Sequence, residues 1–198
     1  GSQKRVVNRW LKKWYRSEHD EIESPEMPDD KYRVIYADPP WKYSDGLMEN
    51  YGSVKYHYPQ MSIEKLSELP VKDLLAKNAV LFLWVTSPLL EECFEVIRSW
   101  GFKYKSSIVW NKMSHNYGHY TSVRHEFLLI CVRGSCTPDI DEKIGSIVSV
   151  KRSKKHSEKP EEFREIIDKL YPSGKRIELF ARGKVKGWDS WGSESDHG

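Results

Sequence analysis

The sequence predicts an α/β domain built on a parallel or mostly parallel sheet with helices on both faces. Three observations carry this. Apolar runs of strand length alternate along the chain with segments of helical period. One run, Ala79–Val85, is apolar throughout, the mark of a strand buried on both sides. The 198 residues suffice for one substantial core.

The elements follow in order. Val6, Val7, Trp10, Leu11 and Trp14 recur at helical spacing among basic residues, which predicts an amphipathic helix, either docked on the domain or serving as an interaction arm. Glu21 to Lys31 is rich in proline and acid and reads as a linker, so residues 1–30 are set apart from a domain at 31–195. Arg33–Ala37 is the first strand. Lys42 to Tyr58 is polar, aromatic and without period, a mobile loop by its composition. Ser62 caps a helix through Ala76, bent or interrupted at Pro70. Ser87-Pro88 starts a helix whose apolar side is Leu89, Leu90, Cys93, Phe94, Ile97 and Trp100, ended by Gly101.

Lys105–Trp110 reads as a strand, Asn111–Arg124 as a loop, and His125–Val132 and Gly145–Val150 as further strands. Pro160 opens a helix carrying Phe163, Ile166, Ile167 and Leu170. Ser173-Gly174 turns the chain into the strand Arg176–Ala181, and a basic, aromatic tail runs from Arg182 to Trp191.

Composition narrows the classes. No apolar run approaches the roughly 18 residues of a membrane span, and no apolar leader follows a basic start. Three cysteines without paired spacing fit a reducing compartment, and a cytoplasmic setting is the expectation. No CxxC or HxxxH pair is present, so no metal is expected. The net charge of +3 does not by itself specify a polyanionic partner, but its distribution is uneven. Lys151, Arg152, Lys154 and Lys155 form a dense cluster, either a solvated loop or a nucleic-acid contact.

Asp38-Pro39-Pro40-Trp41 carries the most information. It closes the run Val34–Ala37, and an acid at the end of a buried strand lies where open α/β sheets bind ligands. The two prolines fix two φ angles and remove two donors, leaving their carbonyl oxygens as expected free acceptors. Trp41 adds a flat π surface, or else a core ring. Together the four residues suit a planar base held by its exocyclic amine.

Six segments in register resemble the MT-A70 family of adenine-N6 methyltransferases. They are Val34–Trp41, His57–Met61, Leu81–Thr86, Tyr117–Tyr120 with His125-Glu126, His156–Pro160 and Glu178–Arg182. The resemblance spans about Lys31 to Glu194. It implies a permuted Rossmann-like class I methyltransferase, with the catalytic motif early and the cofactor-binding strand late. This agrees with the lack of a glycine-rich turn after the first strand. It implies S-adenosylmethionine as cofactor and nucleic acid as partner, with a homodimer or a partner subunit left open.

Site roles are carried over residue by residue. Asp38 and the Pro39 carbonyl hold the adenine amine, with Pro40 and Trp41 completing the catalytic motif and Trp41 stacking on the base. Asp38 also meets the cofactor's ammonium group. Lys159 meets the cofactor carboxylate, and Glu178, Phe180, Arg182, Ser193 and Glu194 line the rest of that site. Glu178 is expected to pair with Lys159. Tyr58 is carried over as a substrate-loop tyrosine; Tyr117 and His119, by the aromatic composition of their loop, and Lys151, Arg152, Lys154 and Lys155, by their charge, are the other expected substrate contacts. Plainer roles compete: a turn aspartate at Asp38, packing for Tyr58, a solvated Lys159, a structural salt bridge for Glu178 and Arg182. The expected activity is methylation of adenine N6 in DNA, with RNA as the alternative polymer. A non-catalytic binding subunit and a small-amine methyltransferase are the competing classes.

Overall fold

The computed structural model describes residues 28–43, 60–117, 120–153 and 158–192. The proposed N-terminal helix, most of the Lys42–Tyr58 segment, Ser193 and Glu194 lie outside them.

A seven-stranded sheet forms the centre. In chain order the strands are β1 (Tyr32–Ala37), β2 (Leu75–Val85), β3 (Lys103–Tyr117), β4 (Ser122–Arg133), β5 (Ile147–Ser149), β6 (Arg176–Leu179) and β7 (Asp189–Trp191). Across the sheet they run β5-β3-β4-β2-β1-β6-β7. β1 pairs in parallel with both β2 and β6, β3 with β5, and β6 with β7. Only β4 runs antiparallel, against β2 and β3. The mostly parallel sheet expected from the sequence is therefore present.

Period-two alternation divides the core into two layers. Ile35, Ala37, Leu81, Leu83, Leu129, Ile177 and Leu179 face one side, under the helices α1 (Ile63–Glu68) and α2 (Cys93–Ser99). Val34, Tyr36, Phe82, Trp84, Trp110 and Leu128 face the other, under α3 (Glu161–Leu170). Phe163 of α3 is fully buried and meets Trp84 edge-on at 4.8 Å. Truncating such a ring costs about 3–5 kcal/mol.

Local chemistry sets the helix ends. The Ser62 hydroxyl accepts the Lys65 N–H at 3.3 Å and starts α1. α1 stops at Glu68, before Pro70, and the chain passes through a 3-10 turn at Val71–Leu74 into β2. The helix expected to reach Ala76 is thus shorter, and β2 begins earlier than Ala79. Lys77 and Asn78 are exposed, which hid the first half of β2 from its apolar pattern. Ser87-Pro88 opens a 3-10 turn rather than α2 itself. α2 ends as expected: Gly101 at φ +85° lets its N–H reach the Arg98 carbonyl, and Phe102 N–H reaches that of Ile97.

The largest correction concerns Asn111–Arg124. It is not mainly loop: β3 continues to Tyr117 and β4 begins at Ser122, joined in an antiparallel ribbon with an irregularity between Asn111 and Asn116. Met113, at φ +54°, lies in that irregularity and is 51% exposed. Ser122 and Arg124 on its β4 side are exposed, and a strand with little to bury needs no apolar alternation, so its sequence reads as loop. At the other edge, β6 ends at Leu179 rather than Ala181, where Phe180 turns at φ +62°. The aromatic tail supplies β7, and Trp188 and Trp191 are buried. No helix among the described residues is long and apolar enough to cross a membrane.

Candidate active site

β1 delivers Asp38 to the carboxyl end of the sheet's parallel half. The strand's alternation places Tyr36 on the α3 side. On this side Trp84 donates its indole N–H to the Tyr36 hydroxyl at 2.7 Å. Lys159 sits just before α3, whose N-cap is Pro160. Its ammonium lies 5.3 Å from the Trp84 ring centre and 3.0 Å from Asp38 Oδ2.

The same ammonium lies 3.1 Å from Glu126 Oε2, and Glu126 Oε1 accepts from Lys112. Four charged groups thus form one chain: Asp38, Lys159, Glu126, Lys112. The side chain of Asp38 keeps a quarter of its surface exposed, while Glu126 keeps 12% and Lys112 6%. Asp38 is therefore the most open member, followed by Lys159 at 16%.

The four groups respond differently to this setting. Burial raises the Asp38 carboxyl above its ordinary value; Lys159 and Arg182 oppose the rise and Glu126 adds to it. Burial also acts to raise Glu126, but the ammonium groups of Lys159 and Lys112 hold it down to about 2. Burial disfavours the Lys159 charge, yet Asp38 and Glu126 outweigh it and strengthen its hold on its proton. Lys112 moves the other way, its charge weakened chiefly by burial. Glu126 is thus the firm anion that anchors the cations, and Asp38 the acid whose charge costs most to keep.

The prolines are not the free acceptors the sequence suggested. The Pro39 carbonyl accepts the Trp41 N–H at 2.9 Å, and the Pro40 carbonyl accepts that of Met61 at 2.7 Å. Each oxygen keeps a second lone pair. Trp41 is likewise corrected as an open stacking surface. It is 5% exposed, belongs to the α1–α2 core layer, and donates its indole N–H to the Trp84 carbonyl at 3.0 Å. A tryptophan N–H needs a partner when buried, and the adjacent strand supplies one.

Glu178 does not pair with Lys159. It stands beside Tyr36 in the β1–β6 register and takes the Arg164 guanidinium at 2.7 Å. Arg164 also lies over the Tyr36 and Trp188 rings. Phe180 is buried against Trp191, edge-on at 5.5 Å. Arg182 follows on the surface, and its charge acts on Asp38.

Lys151 and Arg152 are exposed immediately after Val150, whose N–H bonds the Asn111 carbonyl beside Lys112. That part of the basic cluster therefore borders the charged chain. Tyr117 lies at the far end of the β3–β4 ribbon, in register with Ser122. Tyr58, His119, Lys154 and Lys155 fall outside the described residues.

Sequence reasoning missed Glu126 and Lys112 as site residues, and Arg164 as the partner of Glu178. A signal existed for the first two. Glu126 shares a sheet face with Leu128 and Ile130, and Lys112 follows Trp110 by two positions. Charges at positions of a buried face require partners.

Known proteins resemble this chain along the same sheet and site. The MT-A70 family model matches residues 32–194. The chain is 37% identical over 188 residues to the Type II methyltransferase M.MunI of Mycoplasma sp, covering 86% of this chain and 80% of that protein. It is 30% identical over 174 residues to a putative N(6)-adenosine-methyltransferase MT-A70-like protein of Medicago truncatula, covering 83% and 26% of the two chains. It is 28% identical over 176 residues to the N(6)-adenosine-methyltransferase catalytic subunit METTL3 of Homo sapiens, covering 84% and 28%. The chain thus spans most of M.MunI and about a quarter of these two plant and human relatives. A mostly parallel sheet flanked by helices, an acid-Pro-Pro-Trp motif ending its central first strand, and a family match across that whole sheet agree: this chain belongs to the MT-A70 family of methyltransferases and has its Rossmann-like fold.

Proposed function

We propose that this chain transfers a methyl group from S-adenosylmethionine to the N6 amine of adenine in DNA. The observation that carries the reading is Asp38. It is a partly exposed carboxylate at the carboxyl end of β1, held at 3.0 Å by Lys159, in a chain of the MT-A70 family.

The residues present fit the cofactor by their chemistry. Its amino-acid end carries both signs of charge, and this end of the sheet offers Asp38 to an ammonium group and Lys159 and Arg182 to a carboxylate. Lys159 spends two of its three N–H donors on Asp38 and Glu126, which leaves one for a ligand. S-adenosylmethionine supplies a methyl group activated on a sulfonium.

Asp38 orients the acceptor. The lone pair of an aromatic amine is delocalised into its ring, so the amine is a poor nucleophile. A carboxylate and the second lone pair of the Pro39 carbonyl would accept its two N–H bonds and turn the nitrogen toward the methyl donor; as the N–C bond forms, the S–C bond breaks to leave a neutral thioether, and the amine's surplus proton passes to solvent. The gain is positional and electrostatic. Ionised Asp38 accepts more strongly than the protonated acid, so with its pKa raised by burial the acid limb of activity is expected above the usual aspartate value. Lys151 and Arg152 border the site and suit a phosphate backbone. An adenine within a duplex must leave its stack to reach Asp38.

DNA is preferred over RNA because the compact relative matched along most of both chains is a Type II methyltransferase. The N(6)-adenosine enzymes are several times longer than the segment they share with this chain. The test offers random-sequence DNA and RNA pools with labelled cofactor and digests each to nucleosides. Label on N6 of deoxyadenosine is expected. Label on adenosine alone would move the reading to RNA. No transfer together with no cofactor binding at millimolar concentration would leave only a binding subunit.

A further inference from the structure

We propose that Lys112 and Glu126 are positioning residues for methyl transfer: the buried Lys112 ammonium fixes Glu126, and Glu126 sets where Lys159 holds the Asp38 carboxylate. This rests on the methyltransferase reading above and extends it to two residues that need touch neither substrate nor cofactor.

The sheet register builds the arrangement. Glu126 lies opposite Trp110 in the β3–β4 pairing, and Lys112 is two residues beyond Trp110 on the same strand. Both therefore point to the α3 side, where Lys159 arrives. Trp84 and Trp110 meet edge-on at 5.9 Å, and each carries one ammonium 5.3 Å from its ring centre, Lys159 over Trp84 and Lys112 over Trp110. Among the described residues Lys112 is the charged residue with the least exposed surface, at 5%. Removing the cation from such a pair strands a buried anion, so Glu126 depends on Lys112.

The chain solves a mechanical problem. Lys159 ends a flexible stem and, left with Asp38 alone, would close on it and neutralise the acceptor the amine needs. Glu126 shares the ammonium, at 3.1 Å beside 3.0 Å for Asp38, so its donors and charge are divided between two acids. Lys112 in turn keeps Glu126 from drawing it wholly away. Asp38 is thereby supported and still free to accept.

The charges acting on this chain come from several elements. Asp38 faces Lys159, Glu126 and Arg182, with Glu178 of β6 nearby. Glu126 faces Lys159 and Lys112, and Arg152 adds its charge at Lys112.

The test compares Lys112→Met, Glu126→Gln, the double variant and Lys112→Arg, each shown folded by its melting curve. It measures kcat, the KM for DNA, cofactor affinity by equilibrium dialysis and the pH–rate profile. Each single variant is expected to lose about tenfold or more in kcat with little change in the KM for DNA. Their acid limbs move in opposite directions. Lys112→Met pulls Lys159 toward Glu126 and shifts the limb to higher pH; Glu126→Gln releases Lys159 to Asp38 and shifts it lower. The double variant is no worse than the poorer single one, because both act on one chain, and Lys112→Arg recovers part of the loss. If wild type methylates DNA while both single variants keep its kcat and acid limb, the positioning role is overturned and the enzyme reading survives. Equal shifts of the same sign with lowered melting temperatures would also overturn it, as damage to packing. If wild type neither methylates nor binds cofactor, both readings fall.

Discussion

The two ends of β1 carry the same kinds of groups and use them oppositely. At the amino end Arg33 meets Asp139 through two hydrogen bonds, with the Ser173 hydroxyl donating to the same carboxylate. The guanidinium holds the Asp139 carboxyl down to about 2. At the carboxyl end Asp38 also has a cation at hydrogen-bond distance, yet its pKa is raised by burial. Arg33 commits its fork to one acid, while Lys159 is divided between two. The first pair ties the 134–146 segment to the sheet. The second keeps a carboxylate costly and incompletely satisfied, the condition in which a group responds to a ligand.

The largest effect should come from breaking the carboxyl end. Asp38→Ala is expected to reduce turnover by about a thousandfold or more, read in a single-turnover assay, while nucleic-acid affinity and melting temperature hold. Near-wild-type turnover would remove Asp38 from the chemistry.

Lys159→Met should both weaken cofactor binding and destabilise the fold by about 3 kcal/mol, because two acids lose their shared cation. Urea unfolding and equilibrium dialysis separate the two losses. An unchanged unfolding midpoint would mean that Asp38 and Glu126 do not depend on Lys159.

Neutralising Lys151 and Arg152 together should lower DNA affinity and flatten its salt dependence by up to about 0.9 for each phosphate the pair neutralises. A salt slope equal to wild type's would take this pair off the binding surface.

Acid titration sharpens the comparison by sign. Glu126 and Asp139 have folded pKa values lowered to about 2, so the stability they add is present above the ordinary carboxylate value and is lost as pH falls toward 2. Asp38 is raised, so its contribution is present below the ordinary aspartate value and lost as pH rises through the raised one. Asp38→Asn should therefore melt no lower than wild type at neutral pH, while Glu126→Gln should lose stability there and flatten the acid side of the curve.

The smallest effect is at the amino end. Arg33→Ala should cost about 1 kcal/mol, visible in urea unfolding, and leave turnover unchanged. A drop in turnover would mean that the two ends are mechanically linked.

Much of this architecture was legible because it obeys local rules. Ala79–Val85 could only be a buried strand, Gly101 could end α2 because it tolerates a positive φ, and Asp38 followed an apolar run into the crevice end of the sheet. Features that depend on a neighbour brought from afar were not legible. Trp41 looked like a stacking ring until the Trp84 carbonyl took its N–H, and the proline carbonyls looked free until Trp41 and Met61 turned toward them. β7 was hidden because three residues are too few to show a period.

By itself the sequence determined the mostly parallel α/β sheet, the place of Asp38 at a strand end and the family to which the motif belongs, because periodicity, turn residues and a short rigid motif are written in adjacent positions. Tertiary structure alone decided that Lys159 serves two acids, that Glu178 belongs to Arg164, and that Lys112 is buried behind Glu126. These pairings join β1, β3, β4, β6 and the α3 entry across wide gaps in the chain. Charge partners are chosen by distance and desolvation in space, and neither is recorded in the order of residues.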